Sequence, residues 1–328
     1  MKVITDLSGQ NPDDPDHYMR FDAYGDDSNE NILFAHWGSI INTNYRKKYA
    51  DYKRKVSWSA ETPCSLLTGH EKDKIYGADL EDYFDKVYTV CPYTAKWLNE
   101  NIHHKNKFEL AVIAYNEDEI PKKDYIKEFD AIYWGGVHAQ DHMAILDAIR
   151  SFKSNFFTIN PLLWSARSLM DQSTFNKYTN QLTGIGVAHK ILWETLAKTK
   201  IFISTNMLFL QEKHVNSIKT FPTWEKNEAF SRLEQLIVPQ MKTRPIAAAF
   251  NKSLNLIKRD PWNVIENWFQ PDVDFIYFDN YEELPTLITN ICNNWGDYKG
   301  IVDNAFQKAV NSYTCRTLFK KMSGGGCK

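Results

Sequence analysis

Short apolar runs rich in β-branched and aromatic residues recur along the whole chain, each followed by a polar turn and then a stretch with helical spacing. This alternation constrains the fold more than any other feature. Strands that are separated by helices cannot pair as hairpins, so the pattern predicts α/β units with parallel sheets. In the first half it predicts strands over Lys2–Asp6, Asn31–Ala35, Lys55–Ser59, Lys86–Val90 and Phe108–Ala114, with helices at Asn44–Lys53 and Tyr93–Asn101. Thr94 is a fitting N-cap for the latter, ahead of Ala95, Leu98 and Ile102 on one face.

The charged stretch at residues 116–130, with its single proline, reads as a boundary and hinge. It divides the chain into an expected first domain, 1–122, and second domain, 123–328. The pattern restarts with "DAIYWGG", and strands are expected over Asn155–Ile159, Lys200–Ser204, Ser253–Ile257 and Val273–Phe278. Helices are expected at His142–Phe152 and Tyr281–Cys292, and one long closing helix at Tyr298–Lys321. In such sheets ligands bind beyond the carboxyl ends of the strands, so the residues that follow each strand carry the chemistry.

Composition narrows the classes. The chain has 328 residues, 43% of them hydrophobic and 24% charged, which is the profile of an ordinary globular protein. With 39 basic and 41 acidic residues, no global field draws it to nucleic acid or anionic lipid. Five scattered cysteines without a Cys-x-x-Cys pair indicate neither a disulfide framework nor a zinc knuckle, and fit a reducing compartment. No apolar run approaches the roughly 18 to 20 residues of a spanning helix. A soluble cytoplasmic protein without a membrane span is expected.

Two segments have the chemistry of a diphosphate site. After "DAIYW", the run Gly135, Gly136, Val137, His138 leads into a helix, and glycines allow backbone N–H groups to approach a phosphate. A plain strand-to-helix turn is the alternative. In "PQMKTRPIAAAF", Lys242 and Arg244 precede Pro245, which suits a first helical turn. Two cations at a helix start are unfavourable to the helix dipole unless an anion sits between them. A solvated surface pair is the alternative there. In the first half, His36 and Glu61 follow strands and are candidates for a general base. The run Arg46–Lys55, in which basic residues alternate with tyrosines, offers a nucleic-acid contact or a solvated helix face. No constellation with metal-ligand spacing, Walker loop, Gly-x-Ser-x-Gly elbow or His-Glu-x-x-His motif is present.

With these residues in view, the second half resembles the donor-binding domain of GT-B glycosyltransferases, two-domain enzymes that move a sugar from a nucleotide diphosphate. "FDAIYWGGVHAQDHMAILDAI" is similar to the strand, Gly pair and helix that open that domain, and "LTGIGVAHKILWETLAKTKIFIS" to the segment that receives the base. "KTRPIAAAFNKSLNLI", "DFIYFDNYEELPTLITNI" and "NAFQKAVNSYT" follow in the same order. The pattern resembles retaining members of glycosyltransferase family four and, more distantly, phage enzymes that glucosylate modified DNA bases.

The resemblance implies two Rossmann-like domains facing across a cleft, with the C-terminal helix packing back toward the first. It places the diphosphate at Gly135, Gly136 and His138, with Lys242 and Arg244, and the base against the backbone of Gly184, Ile185, Gly186 and Val187. It implies a nucleotide diphosphate sugar as donor, GDP-mannose before UDP-glucose, with no further cofactor and no metal. The acceptor would be a hydroxyl on a glycan or glycoprotein, with DNA as the alternative. Transfer would be retaining, with Glu61 or His36 as base if it inverts. The sequence departs from the family at Ala247, where many relatives carry a ribose-binding Glu, and at Pro239, where the earlier Glu of a Glu-x7-Glu pattern would stand. Glu228 and Glu234 are the remaining candidates for the ribose. The departure at Ala247 also supports a non-catalytic scaffold. Ten Trp and 17 Tyr leave aromatic surface for a homodimer contact.

Overall fold

The computed structural model of the chain describes residues 2–6, 21–24, 31–36, 47–59, 83–101, 108–111, 114–137, 139–158, 173, 176–178, 180, 182–185, 189–209 and 237–323. It falls into two compact units. Met1–Glu119 and Asn311–Lys328 belong to the first; Ile120–Gln211 and Glu228–Val310 form the second. The sequence reading carried the second domain on to residue 328, whereas the chain returns to the first unit after Val310.

The first unit is built on a parallel sheet of β1 (Lys2–Asp6), β2 (Asn31–His36), β3 (Arg54–Ser59), β4 (Lys86–Thr89) and β5 (Phe108–Leu110), in that spatial order. Helix α1 (Pro92–Asn101) joins β4 to β5, and Asn99 fixes it there: its Nδ2 donates to the Phe108 carbonyl at 2.8 Å and its Oδ1 accepts the Phe108 N–H at 3.1 Å. The helix begins at Pro92, two residues before the expected Thr94 cap, because the fixed φ of proline suits the first helical position. The expected helix at Asn44–Lys53 is only a turn among the described residues, helical at Lys47 and Lys48 alone.

The second unit has a parallel sheet in the order β13-β12-β9-β6-β7-β8. Its strands are β6 (Phe129–Trp134), β7 (Ser154–Thr158), β8 (Leu182–Ile185), β9 (Thr199–Thr205), β12 (Leu254–Lys258) and β13 (Ile276–Phe278). Between β9 and β12, the strands β10 (Met207–Phe209) and β11 (Ile237–Pro239) pair antiparallel. The helices are α2 (Gln140–Ile149), α3 (His189–Ala197), α4 (Arg244–Phe250), α5 (Leu284–Asn293) and α6 (Trp295–Ser312). The core is dense around Ile145, Leu146, Phe156, Ile201, Leu256 and Ile288, the apolar positions that set the expected strand and helix periodicities.

Two expectations change here. The strand expected from Val273 is confined to Ile276–Phe278, because residues 270–275 form a turn: Asp274 Oδ2 accepts the Gln270 N–H at 2.8 Å, and Asp272 is left-handed at φ 60°. The long closing helix is two helices, α6 and α7 (Cys315–Met322). Thr314 breaks it by adopting an extended conformation, bridging to Tyr115 and accepting the Thr317 N–H on its side chain at 3.3 Å.

Candidate functional site

In the second unit the chain starts at β6, steps outward through β7 and β8, and then returns to the other side of β6 with β9, β12 and β13. This is the doubly wound order in which the direction of progression reverses between β6 and β9. At such a reversal the flanking connections leave on opposite faces, so a crevice opens at the carboxyl ends of those two strands. The residues at those ends are Trp134, Gly135 and Gly136 after β6, and Asn206 after β9.

Gly135 leaves room for a close approach. A Cβ there would lie 2.8 Å from Nη1 of Arg244 and 3.0 Å from the Tyr133 hydroxyl. The guanidinium of Arg244, at the start of α4, also stands over the Trp134 ring at 5.4 Å from its centroid. Tyr133 donates its hydroxyl to the Gly136 carbonyl at 2.8 Å, and burial raises its pKa so that it remains a neutral donor. The Gly135 N–H is itself engaged by the Phe157 carbonyl at 3.0 Å, so of the glycine pair only the Gly136 N–H remains to meet an anion. An anion at this turn would therefore meet side-chain cations more than the two backbone amides expected from the sequence.

Lys242 supplies the second cation. Asn206 is wholly buried and pins this loop, its Oδ1 accepting the Lys242 N–H at 3.2 Å and its carbonyl accepting the Gln240 N–H at 3.0 Å. The Lys242 ammonium donates to Gln240 Oε1, and among the described residues no carboxylate forms an ion pair with it. Burial, together with the nearby Arg244 charge, pushes its pKa down to about 7. An anion bound beside Lys242 would favour its charged form. Asn206 escaped the sequence analysis, although the rule that singled out Gly135, the residue following a strand, applies equally to it.

Helix α2 contributes less than its position suggests. Its N-cap, Ala139, offers no side-chain cap, and its first turn holds the buried carboxylate of Asp141, which accepts the Tyr281 hydroxyl at 2.9 Å. Part of the helix dipole already faces a negative charge. Asp141 also lines a cavity of about 490 Å³ at this edge, with Met207, Lys258, Asp260, Asp279 and Tyr281. Burial pushes the Asp260 carboxyl up to about 6, even though it accepts the Trp262 and Val264 N–H groups.

Other expected positions are distributed as follows. Gly184 and Ile185 end β8 and are level with Phe157 and Thr158, so their backbone lies two strands from the glycine pair on the same edge. His138, Gly186, Val187, Glu61, Glu228 and Glu234 lie outside the described residues, and of His36 only the backbone, ending β2, is described. Ala247 is fully buried in α4, so no carboxylate could reach a ribose from that position without repacking the helix. In the basic run, Arg54 donates to the Met322 and Ser323 carbonyls and Lys55 to the Tyr52 carbonyl at 2.7 Å, which are structural contacts within the first unit. Among the described residues no group of His, Cys, Asp or Glu has metal-site geometry, and no helix is long and apolar enough to cross a membrane.

No protein-family profile matches the chain, and no curated sequence does. Its structure is similar to HepE of Anabaena in complex with UDP and glucose, with 8% identity, a TM-score of 0.60, and coverage of 90% of this chain and 77% of that one. It is also similar to sucrose-phosphate synthase of Thermosynechococcus elongatus, with 9% identity, a TM-score of 0.58, and coverage of 89% and 72%. A glycosyltransferase of Rickettsia africae matches at 14% identity and a TM-score of 0.51, over 89% of this chain and 76% of that one. The chain has the α/β fold of these GT-B proteins, with a parallel sheet in each of its two units.

Proposed function

We propose that the chain is a glycosyltransferase that moves a hexosyl group from a UDP-sugar, UDP-glucose foremost, to a hydroxyl of a glycan or glycoprotein. One observation carries this reading: the Arg244 guanidinium converges on Gly135 at the strand-order reversal, beside the half-buried Lys242. The preference for uridine over the guanosine donor expected from sequence rests on HepE, which is similar in fold and binds UDP-glucose.

In the transfer, the bond between the anomeric carbon and the β-phosphate oxygen breaks and its electron pair leaves with UDP. The acceptor oxygen forms the new bond to that carbon, and its proton passes to the leaving phosphate in a retaining course. The growing charge on the phosphate is met by the Arg244 and Lys242 side chains and the Gly136 N–H. Asp141, which uses one carboxylate oxygen on Tyr281, keeps the other, Oδ2, without a partner among the described residues, as an acceptor for a sugar hydroxyl.

The test is calorimetric titration with UDP, UDP-glucose, GDP and GDP-mannose. Saturable binding of the uridine pair, weakened at least about tenfold in Arg244→Ala, is expected, as for loss of a charge-assisted contact. Equal binding by the variant would remove the proposed phosphate role. A second reading, a scaffold that binds the nucleotide without transfer, is favoured by the burial of Ala247. It predicts nucleotide binding with no donor hydrolysis and no transfer to any hydroxyl acceptor.

A further inference from the structure

A second cavity of about 490 Å³ lies at the opposite, amino-terminal edge of the same sheet, where β6, β9 and β12 begin. One wall is residues 121–127, the segment by which the chain enters the second unit; another is α6, by which it leaves. Its floor carries Phe250, Trp295, Val302 and Phe306, an apolar surface wide enough for a ring.

The polar lining is unusual for a chain with two more acidic than basic residues. Lys123, Lys127, Lys200, Lys252 and Lys299 face only Asp124 and Asp303, an excess of three formal positive charges. Even with Lys200 paired to Asp130 at 3.3 Å, cations remain in excess. Lys127 sits deepest, donating to the carbonyls of Ala197 at 2.8 Å and Asn251 at 3.2 Å, neither of which neutralises it. Burial, with Lys252 nearby, pushes its pKa down to about 7.

Lys252 is held at φ 53°, in the left-handed region, just past the end of α4, where glycine is the usual residue. A lysine there costs backbone strain, yet it places the ammonium 2.7 Å from Asp124 and over the Phe306 ring at 4.9 Å. Cations gathered on an aromatic wall in a recess focus a positive potential into it.

We propose that this cavity binds a small organic anion with an aromatic or otherwise apolar body, at a site separate from the carboxyl edge of the sheet. The ring would lie against Trp295 and Phe306, and the anionic group among Lys127, Lys252 and Lys299. Because residues 121–127 and α6 both line the cavity, the occupant would hold that segment to that helix.

The experiment titrates the full chain with 1-naphthyl phosphate, followed by calorimetry, with 1-naphthol as the uncharged comparison. One saturable site is expected, with 1-naphthol bound at least about tenfold more weakly, the difference that one charge-assisted contact makes. Lys252→Gly relieves the left-handed strain and removes the cation, so it should weaken binding while leaving the chain folded. Lys299→Glu, on the exposed face of α6, should weaken it likewise and carries the test should Lys252→Gly fail to fold. Arg244→Ala should bind as the parent does. Absence of saturation, parental affinity in both lysine variants, or loss of binding in Arg244→Ala would overturn the proposal; the last would place the probe at the donor edge.

Discussion

At the residue scale the candidate donor site turns on clearance and charge. Gly135→Ala would place a methyl 2.8 Å from Arg244 Nη1, and the flexible guanidinium would yield before the backbone did. The expected outcome is a UDP affinity lowered by about tenfold with stability changed by under about 1 kcal/mol, read by calorimetry and urea unfolding. Lys242, pushed down to about 7, should take up a proton when a diphosphate binds beside it. UDP-glucose, whose phosphates do not titrate near neutrality, should therefore bind more tightly at pH 6 than at pH 8, and Lys242→Met should flatten that profile. Asp260 provides a test of stability. Its folded pKa, pushed up to about 6, exceeds that of the unfolded chain, so the folded state holds its proton more firmly. The resulting stability is present below about pH 4 and is lost as pH rises through about 6. Asp260→Asn should remove that slope from the pH dependence of Tm.

At the scale of elements, α7 depends on two anchors from outside itself. Thr314 caps it, and the Glu117 carboxylate accepts both the Arg316 N–H at 3.0 Å and the Tyr24 hydroxyl at 2.6 Å. A carboxylate at a helix start also complements the dipole. Glu117→Ala and Thr314→Ala should each cost about 1 kcal/mol in urea unfolding, since the first removes a partner of the half-buried Tyr24 hydroxyl and the second removes a cap. Most strands of this chain were legible in sequence because each is a local apolar run; β8, β10 and β11 were not. The break at Thr314 was not, because it is imposed by Tyr115, a partner distant in sequence. The turn at Asp272–Asp274 was missed for a local reason: apolar Val273 and Phe275 continue the strand pattern, while the Asp274 side chain closes the turn onto Gln270.

At the scale of the molecule, the closing residues belong to the first unit, where the Phe319 ring stacks at 6.3 Å from Phe21 and lies 5.5 Å from Phe34. Ending the chain at Val310 should therefore destabilise the first unit and spare the second. Hydrogen exchange checks this: faster exchange is expected in β2 and β3, and unchanged protection in β9 and β12. UDP at a hundredfold excess over its Kd should stabilise the unit that binds it by about 2.7 kcal/mol, with added protection in β6 and β9.

By itself the sequence determined the class of the fold and most of its parallel strands, because apolar periodicity and the residues that follow it are local properties of the chain. It also singled out Gly135, Lys242 and Arg244 as residue types suited to a diphosphate. Only the tertiary structure decided that Arg244 stands against Gly135, that the Gly135 amide is already engaged, that Ala247 faces the core, and that five lysines gather at the far edge of the sheet. Each of these is a contact between residues distant in the chain. Strand order and packing create them, and no local pattern of residues encodes which strand lies beside which.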